Sequence, residues 1–221
     1  MKFDWIKFLH FEGMLIPLWE TVYMVLIATV VSLIIGLPIG ILLVVSEPKG
    51  VKPNNTLHKI LDMILVNITR SIPFVILMVL LIPLSRLLVK KSYGSIAFII
   101  PLALGAAHFV ARIIEGALKE VDDGLIEASK AMGATNAEII FKVMIKEAMP
   151  SIVSGITLST ISILGYTAMA GAVGAGGLGA VALTYGYQKF DTSVMLYTVL
   201  ILIVIVQLIQ CIGNLAYKKL K

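Results

Sequence analysis

Apolar runs long enough to cross a bilayer recur five times along this chain, separated by polar stretches. A hydrocarbon core about 30 Å thick takes roughly 20 apolar residues per helical crossing. The runs cover about 19–45, 60–84, 94–118, 151–173 and 193–217, and each reads as a membrane helix. The first opens on Trp19 and Tyr23, aromatics suited to the membrane–water interface. It then carries Gly36-Leu37-Pro38-Ile39-Gly40, a small-xxx-small spacing around a kink-prone proline, which predicts close helix packing. Residues 1–17 mix charge with short apolar patches and read as an amphipathic lead-in at the interface. The pattern predicts an all-α membrane protein with about five transmembrane helices, in a single domain over 1–221.

One polar interval stands apart, the charged island 118–150. Asp122 or Asp123 is placed to cap a short helix over about 124–132, with Leu125, Ile126, Ala128 and Met132 as its apolar side. Gly133 then stops the helix as a left-handed C-cap glycine does. Thr135-Asn136-Ala137-Glu138 is a capping box and starts a second helix, on which Ile140, Val143, Met144 and Ala148 recur at helical spacing. A helix, a glycine turn and a second helix make a rigid element able to transmit displacement. The local pattern also fits an ordinary amphipathic hairpin on the membrane surface.

Composition changes the picture little. Hydrophobic residues are 59% of the 221 and charged residues 14%, where a soluble domain carries about 25% charge. The net charge of +5 reflects cytoplasmic loops rather than nucleic acid, because Lys and Arg accumulate on that side of a membrane. With the N-terminus outside, the inner segments carry Lys49, Lys52, Lys59, Lys119, Lys130, Lys142, Lys146, Lys218, Lys219 and Lys221. The outer segments carry Lys2, Lys7, Arg86, Lys90, Lys91 and Lys189, so the census favours N-out, C-in, with Arg86, Lys90 and Lys91 against it. The single Cys211 lies in the last run, and no metal or redox spacing surrounds it.

Ionisable residues inside the runs are few. Arg70 lies well inside the second, where a basic side chain costs about 2.5–3.5 kcal/mol, and Asp62 is its candidate partner. Arg112 and Glu115 are three apart and can pair on one helix face. Packing near the cytoplasmic end and a polar lining of a transport path are both open readings of Asp62, Arg70, Arg112 and Glu115. The segment 165–179 is dominated by Gly and Ala, allowing close helix approach or an unwound stretch lining a cavity. There Met169 is a soft plug for a narrow aperture. A tightly packed dimer interface explains the same small residues. Residues 174–179 also satisfy GxGxxG, but they follow a membrane run, and the next acid, Asp191, comes too soon for a dinucleotide site. No GxxxxGK[ST] occurs anywhere, so no ATP binding of the P-loop kind is expected.

The island resembles the EAA loop of bacterial ABC-importer permeases: Glu127, Ala128 and Gly133 match, and Ser129 is a mild substitution. Val143 and Ile145 stand at aliphatic positions, and Lys146 stands where the family has Pro. Arg70-Ser71-Ile72-Pro73-Phe74, the stretch 124–135, the stretch 165–179 and Tyr185-Gly186-Tyr187 resemble one branch, the methionine-importer permeases. The resemblance implies a type I importer fold and a homodimer in the bacterial inner membrane. It implies two copies of a separate ATPase, which binds the ATP, and an external lipid-anchored binding protein. The implied cargo is D- and/or L-methionine, with no catalytic residue, metal or cofactor in this chain. It places ATPase docking on Glu127, Ala128, Ser129, Met132, Gly133 and Ala134, and the path or gate around Gly165, Tyr166, Met169, Gly171 and Gly174. The competing classes are an ion-coupled carrier using buried carboxylates and a structural membrane subunit.

Overall fold

The computed structural model describes residues 12–220, excepting the side chains of residues 12, 13, 64–66 and 70. Ten helical elements follow one another in the described chain. They are α1 (Glu12–Ser46), α2 (residues 55–71), α3 (Phe74–Leu80), α4 (Ile82–Val89), α5 (Ser95–Lys119), α6 (Asp123–Ala131), α7 (residues 136–147), α8 (Met149–Ala172), α9 (residues 177–188) and α10 (Thr192–Leu220). Among the described residues four helices are long and apolar enough to cross a membrane: α1 (counted from Met14), α5, α8 and α10.

The expected second crossing is not one continuous helix. It is built from α2, α3 and α4. Proline has no N–H and pushes the preceding residue out of the helical region. Ile72, before Pro73, is accordingly extended (φ −89°, ψ 125°), and α2 ends there. The expected lead-in over 1–17 is likewise revised. Residues 12–17 are the first turns of α1, and the rest of that segment falls outside the described residues.

The chain divides into two compact units, and α1, α5, α8 and α10 contribute to both. The first unit takes 12–30, 74–103 and 160–209 of the described chain. Its apolar core gathers Met14 of α1, Leu178 of α9 and Tyr197 of α10, flanked by Leu18, Val181 and Val194. The second unit takes 31–73, 104–159 and 210–220. Its core joins Val44 of α1 and Val110, Ile114 and Leu118 of α5 to Ile139 and Met144 of α7, Ala148 just after it and Ile152 of α8. The glycine pair read as a packing motif performs that role here. A Cβ on Gly36 would lie 2.7 Å from the Ala107 carbonyl oxygen, and one on Gly40 2.6 Å from that of Ala111, so α1 and α5 touch backbone to backbone.

Candidate coupling loop and gate

The loop between α5 and α8 is a helical hairpin with defined caps. Asp122, the first of the two acids considered, is the N-cap of α6, and its carboxylate accepts the Leu125 N–H at 3.3 Å. At the other end the Gly133 N–H donates to Lys130 O (3.0 Å) and the Ala134 N–H to Ser129 O (3.1 Å). This is the Schellman pair of bonds, and it needs the left-handed residue that Gly133 supplies with φ +82°. The capping box is complete. The Glu138 N–H donates to Thr135 Oγ1 (3.3 Å), and the Thr135 N–H donates to Glu138 Oε2 (3.1 Å).

The faces of the hairpin differ from the sequence expectation. Ser129 is the buried residue of α6, its hydroxyl satisfied by Leu125 O at 2.7 Å, and Ile126 packs beside it toward the core. Leu125 and Ala128 face outward, and Met132 is 81% exposed. The expected apolar side is therefore split, with Ile126 inward and the other three outward. On the second helix Met144 and Ala148 are buried as expected, Ile140 and Val143 are only partly buried, and Ile139, with no exposed surface, is the further anchor. The cause is a widened turn over Ile139–Met144, where the Ile145 N–H bonds Ile140 O. An i→i+5 turn brings residues five apart onto one face. Burying each anchor contributes roughly 1.5–3 kcal/mol, which fixes the hairpin to α5 while Glu127, Ala128, Met132 and Gly133 remain exposed.

Beside it in the same unit runs a chain of ion pairs. Asp62 pairs with Arg112, whose Nη1 lies 2.7 Å from Glu115 Oε2, and Lys119 Nζ lies 3.0 Å from Glu115 and 3.2 Å from Glu47. Asn67 donates to Asp62 (3.1 Å) and accepts from Arg112 (2.9 Å). Asp62 thus ties α2 to α5 through Arg112. The expected Arg112–Glu115 pair is present, and the side chain of Arg70 lies outside the described residues.

The small-residue segment of the first unit is a sharp reversal between α8 and α9. Gly174, Gly176 and Gly177 have φ of +97°, +82° and +74°. Gly176 (ψ −155°) occupies a region essentially reserved for glycine. Across the reversal α8 and α9 pack by backbone: a Cβ on Gly179 would lie 2.7 Å from Ala168 O, and Gly171 faces Gly179 and Ala180. Gly165 faces open space, Tyr166 stacks on Phe74 at 3.9 Å between centroids, and Met169 is half exposed.

Two residues of this site had no sequence signal. Gly176 has no side chain with which to cap α9, and α1 supplies the cap instead. Glu20 Oε2 accepts the Gly177 N–H and Thr21 Oγ1 accepts the Leu178 N–H, both at 2.8 Å. A carboxylate at a helix N-terminus complements the exposed donors and the dipole. Ser95 Oγ, itself paired with the Tyr23 hydroxyl, donates to Glu20 Oε1 at 3.3 Å, and the Gly94 N–H bonds Gly174 O at 2.8 Å. The first turn of α5, the reversal and α1 meet in one polar knot. Only the interfacial position of Glu20 is visible in the sequence, while its partner lies 157 residues away.

The molecule is similar throughout to transport proteins. Residues 36–221 match the family model of the binding-protein-dependent transport system inner membrane component. A probable D-methionine transport system permease protein MetI of Vibrio cholerae is 46% identical over 206 residues, covering 93% of this chain and 91% of that protein. The D-methionine permease MetI of Escherichia coli K12 is 47% identical over 153 residues, 69% of this chain and 70% of that protein. An inward-facing structure of the MetNI methionine ABC transporter superposes with TM-score 0.89 at 44% identity, over 92% of this chain and 94% of that one. An amino acid ABC transporter solved with histidines shares the fold at TM-score 0.79 and 18% identity, over 99% of this chain and all of that one. The chain belongs to the binding-protein-dependent inner membrane transport components, as a multi-pass permease subunit of an ABC importer rather than an enzyme.

Proposed function

We propose that this chain is the permease of a methionine importer, working as a homodimer with two ATPase subunits and an external binding lipoprotein. The chain forms one transmembrane domain, with 118–150 as its cytoplasmic coupling loop, the N-terminus outside and the C-terminus inside. ATP is held by the partner, and this chain needs no cofactor or metal of its own. The observation carrying this reading is the capped hairpin α6–α7, anchored by Ile139 and Met144 and presenting Leu125, Ala128 and Met132 outward. A docked ATPase gains exposed apolar contact at Glu127–Ala134, and a rigid hairpin carries its motion to α5 and α8. ATP-driven approach of the two loops then biases a two-state membrane domain between inward-open and outward-open forms.

In this reading the reversal at Gly174–Gly177 is the gate, with Gly165, Tyr166, Met169 and Gly171 on the adjoining path and Glu20 and Thr21 holding its closed geometry. An ion-coupled carrier fits less well, because Asp62 and Glu115 are engaged by Arg112 and Lys119. Uptake of labelled L- and D-methionine by proteoliposomes holding the whole complex tests the reading. Uptake that requires ATP and the binding protein is expected. Uptake that proceeds without ATP and collapses with an ionophore would contradict it.

A further inference from the structure

The outer-segment cations Arg86, Lys90 and Lys91 are the residues the topology explains least. They line a hollow of about 380 Å³ between the end of α4 and the start of α5, together with Ser92, Tyr93 and Gly94. All three cations are exposed, and among the described residues none of them makes an ion pair. The described carboxylates of this unit are committed elsewhere, Glu20 to the Gly177 N–H and Asp191 to the N–H groups of Ser193 and Val194. Lys90 ends α4 as a left-handed cap (φ +55°), which turns the chain so that Lys90 and Lys91 follow the helix into the hollow's lining. The hollow also faces the first turn of α5, where the dipole of a 25-residue helix is positive.

The surroundings choose among anions. Leu87 is 76% exposed and Leu88 62%, on the same short helix as Arg86, and Tyr93 is 79% exposed beside the cations. Exposed apolar side chains, a tyrosine and basic groups together are the mixture that suits the boundary between acyl chain and headgroup. We propose that this hollow binds the phosphate of an anionic phospholipid, with Arg86, Lys90, Lys91 and the Ser92 hydroxyl on the headgroup and Leu87 and Leu88 along the acyl chains. Cations kept in a segment that the charge rule leaves poor in them are thereby given a ligand. The site does not depend on the cargo or on the ATPase.

The test titrates short-chain phosphatidylglycerol or phosphatidylcholine into the detergent-solubilised full-length chain, read by native mass spectrometry. It is repeated on Arg86→Gln/Lys90→Asn/Lys91→Gln, in which asparagine keeps a residue tolerant of the left-handed backbone. Each cation near an anionic headgroup contributes about a fivefold factor, so the triple variant is expected to bind phosphatidylglycerol roughly a hundredfold more weakly. Phosphatidylcholine binding should be unchanged, and Lys218→Gln/Lys219→Gln should behave as wild type. Equal phosphatidylglycerol binding by wild type and triple variant overturns the proposal. Displacement of the lipid by millimolar inorganic phosphate overturns it in favour of a soluble anion.

Discussion

Glu20 and Thr21 show how much one pair of side chains decides at the gate. The first two N–H groups of α9 have no cap from their own segment, because the preceding residue is glycine, and side chains of α1, 157 residues earlier, supply it. Glu20→Ala removes a charged acceptor from Gly177 and Ser95 and is expected to cost about 1.5–3 kcal/mol. Glu20→Gln, which keeps an acceptor, should cost less, and thermal unfolding in detergent checks both. Glu138 is the second telling residue. Its carboxyl sits at about 2 instead of 4.5, held down first by the Lys142 ammonium and then by the Thr135 N–H and hydroxyl. A carboxylate depressed in the folded state supports folding fully above its ordinary pKa, and that support drains as pH falls through the folded value. Hydrogen exchange of the α7 amides should therefore separate wild type from Glu138→Gln above about pH 4.5, with the difference vanishing near pH 2.

At the scale of elements, what was legible in the sequence was local. The Thr135–Glu138 box, the Gly133 stop and the Asp122 cap each involve residues within a few positions of one another, so their chemistry is written in adjacent letters. The broken second crossing was hidden because hydropathy sums across Pro73, although the missing N–H ends a helix there. The outward faces of Leu125 and Met132, and the burial of Ser129, are set by tertiary packing that helical periodicity does not contain. Asp62 pairs with Arg112, fifty positions on, a contact that no local spacing contains. The Gly36–Gly40 motif was legible, and it makes a contrast testable. Gly40→Leu would drive a side chain into Ala111 O and Ile114 and should cost about 1–3 kcal/mol by overpacking. Gly116→Ala on α5, where a Cβ meets nothing within 4 Å, should instead stabilise by roughly 0.5–1 kcal/mol. Unfolding midpoints of the two variants decide between them.

For the whole molecule, the central claim is that an external ATPase drives this membrane domain through the α6–α7 hairpin. Gly133 bears on docking more than on packing: a Cβ there would have nothing within 4 Å, and the strain of a side chain at φ +82° is smaller for aspartate than for most residues. Gly133→Asp should leave the chain folded while placing a charged side chain on the docking face. The most direct measurement is purification of the tagged chain from its native membrane under mild conditions, with mass spectrometry of the proteins that accompany it. The account predicts a P-loop ATPase in equal amount with the wild-type chain and its loss from Gly133→Asp at unchanged yield of folded protein. A homo-oligomer free of any ATPase, or an ATPase retained undiminished by Gly133→Asp, would contradict it.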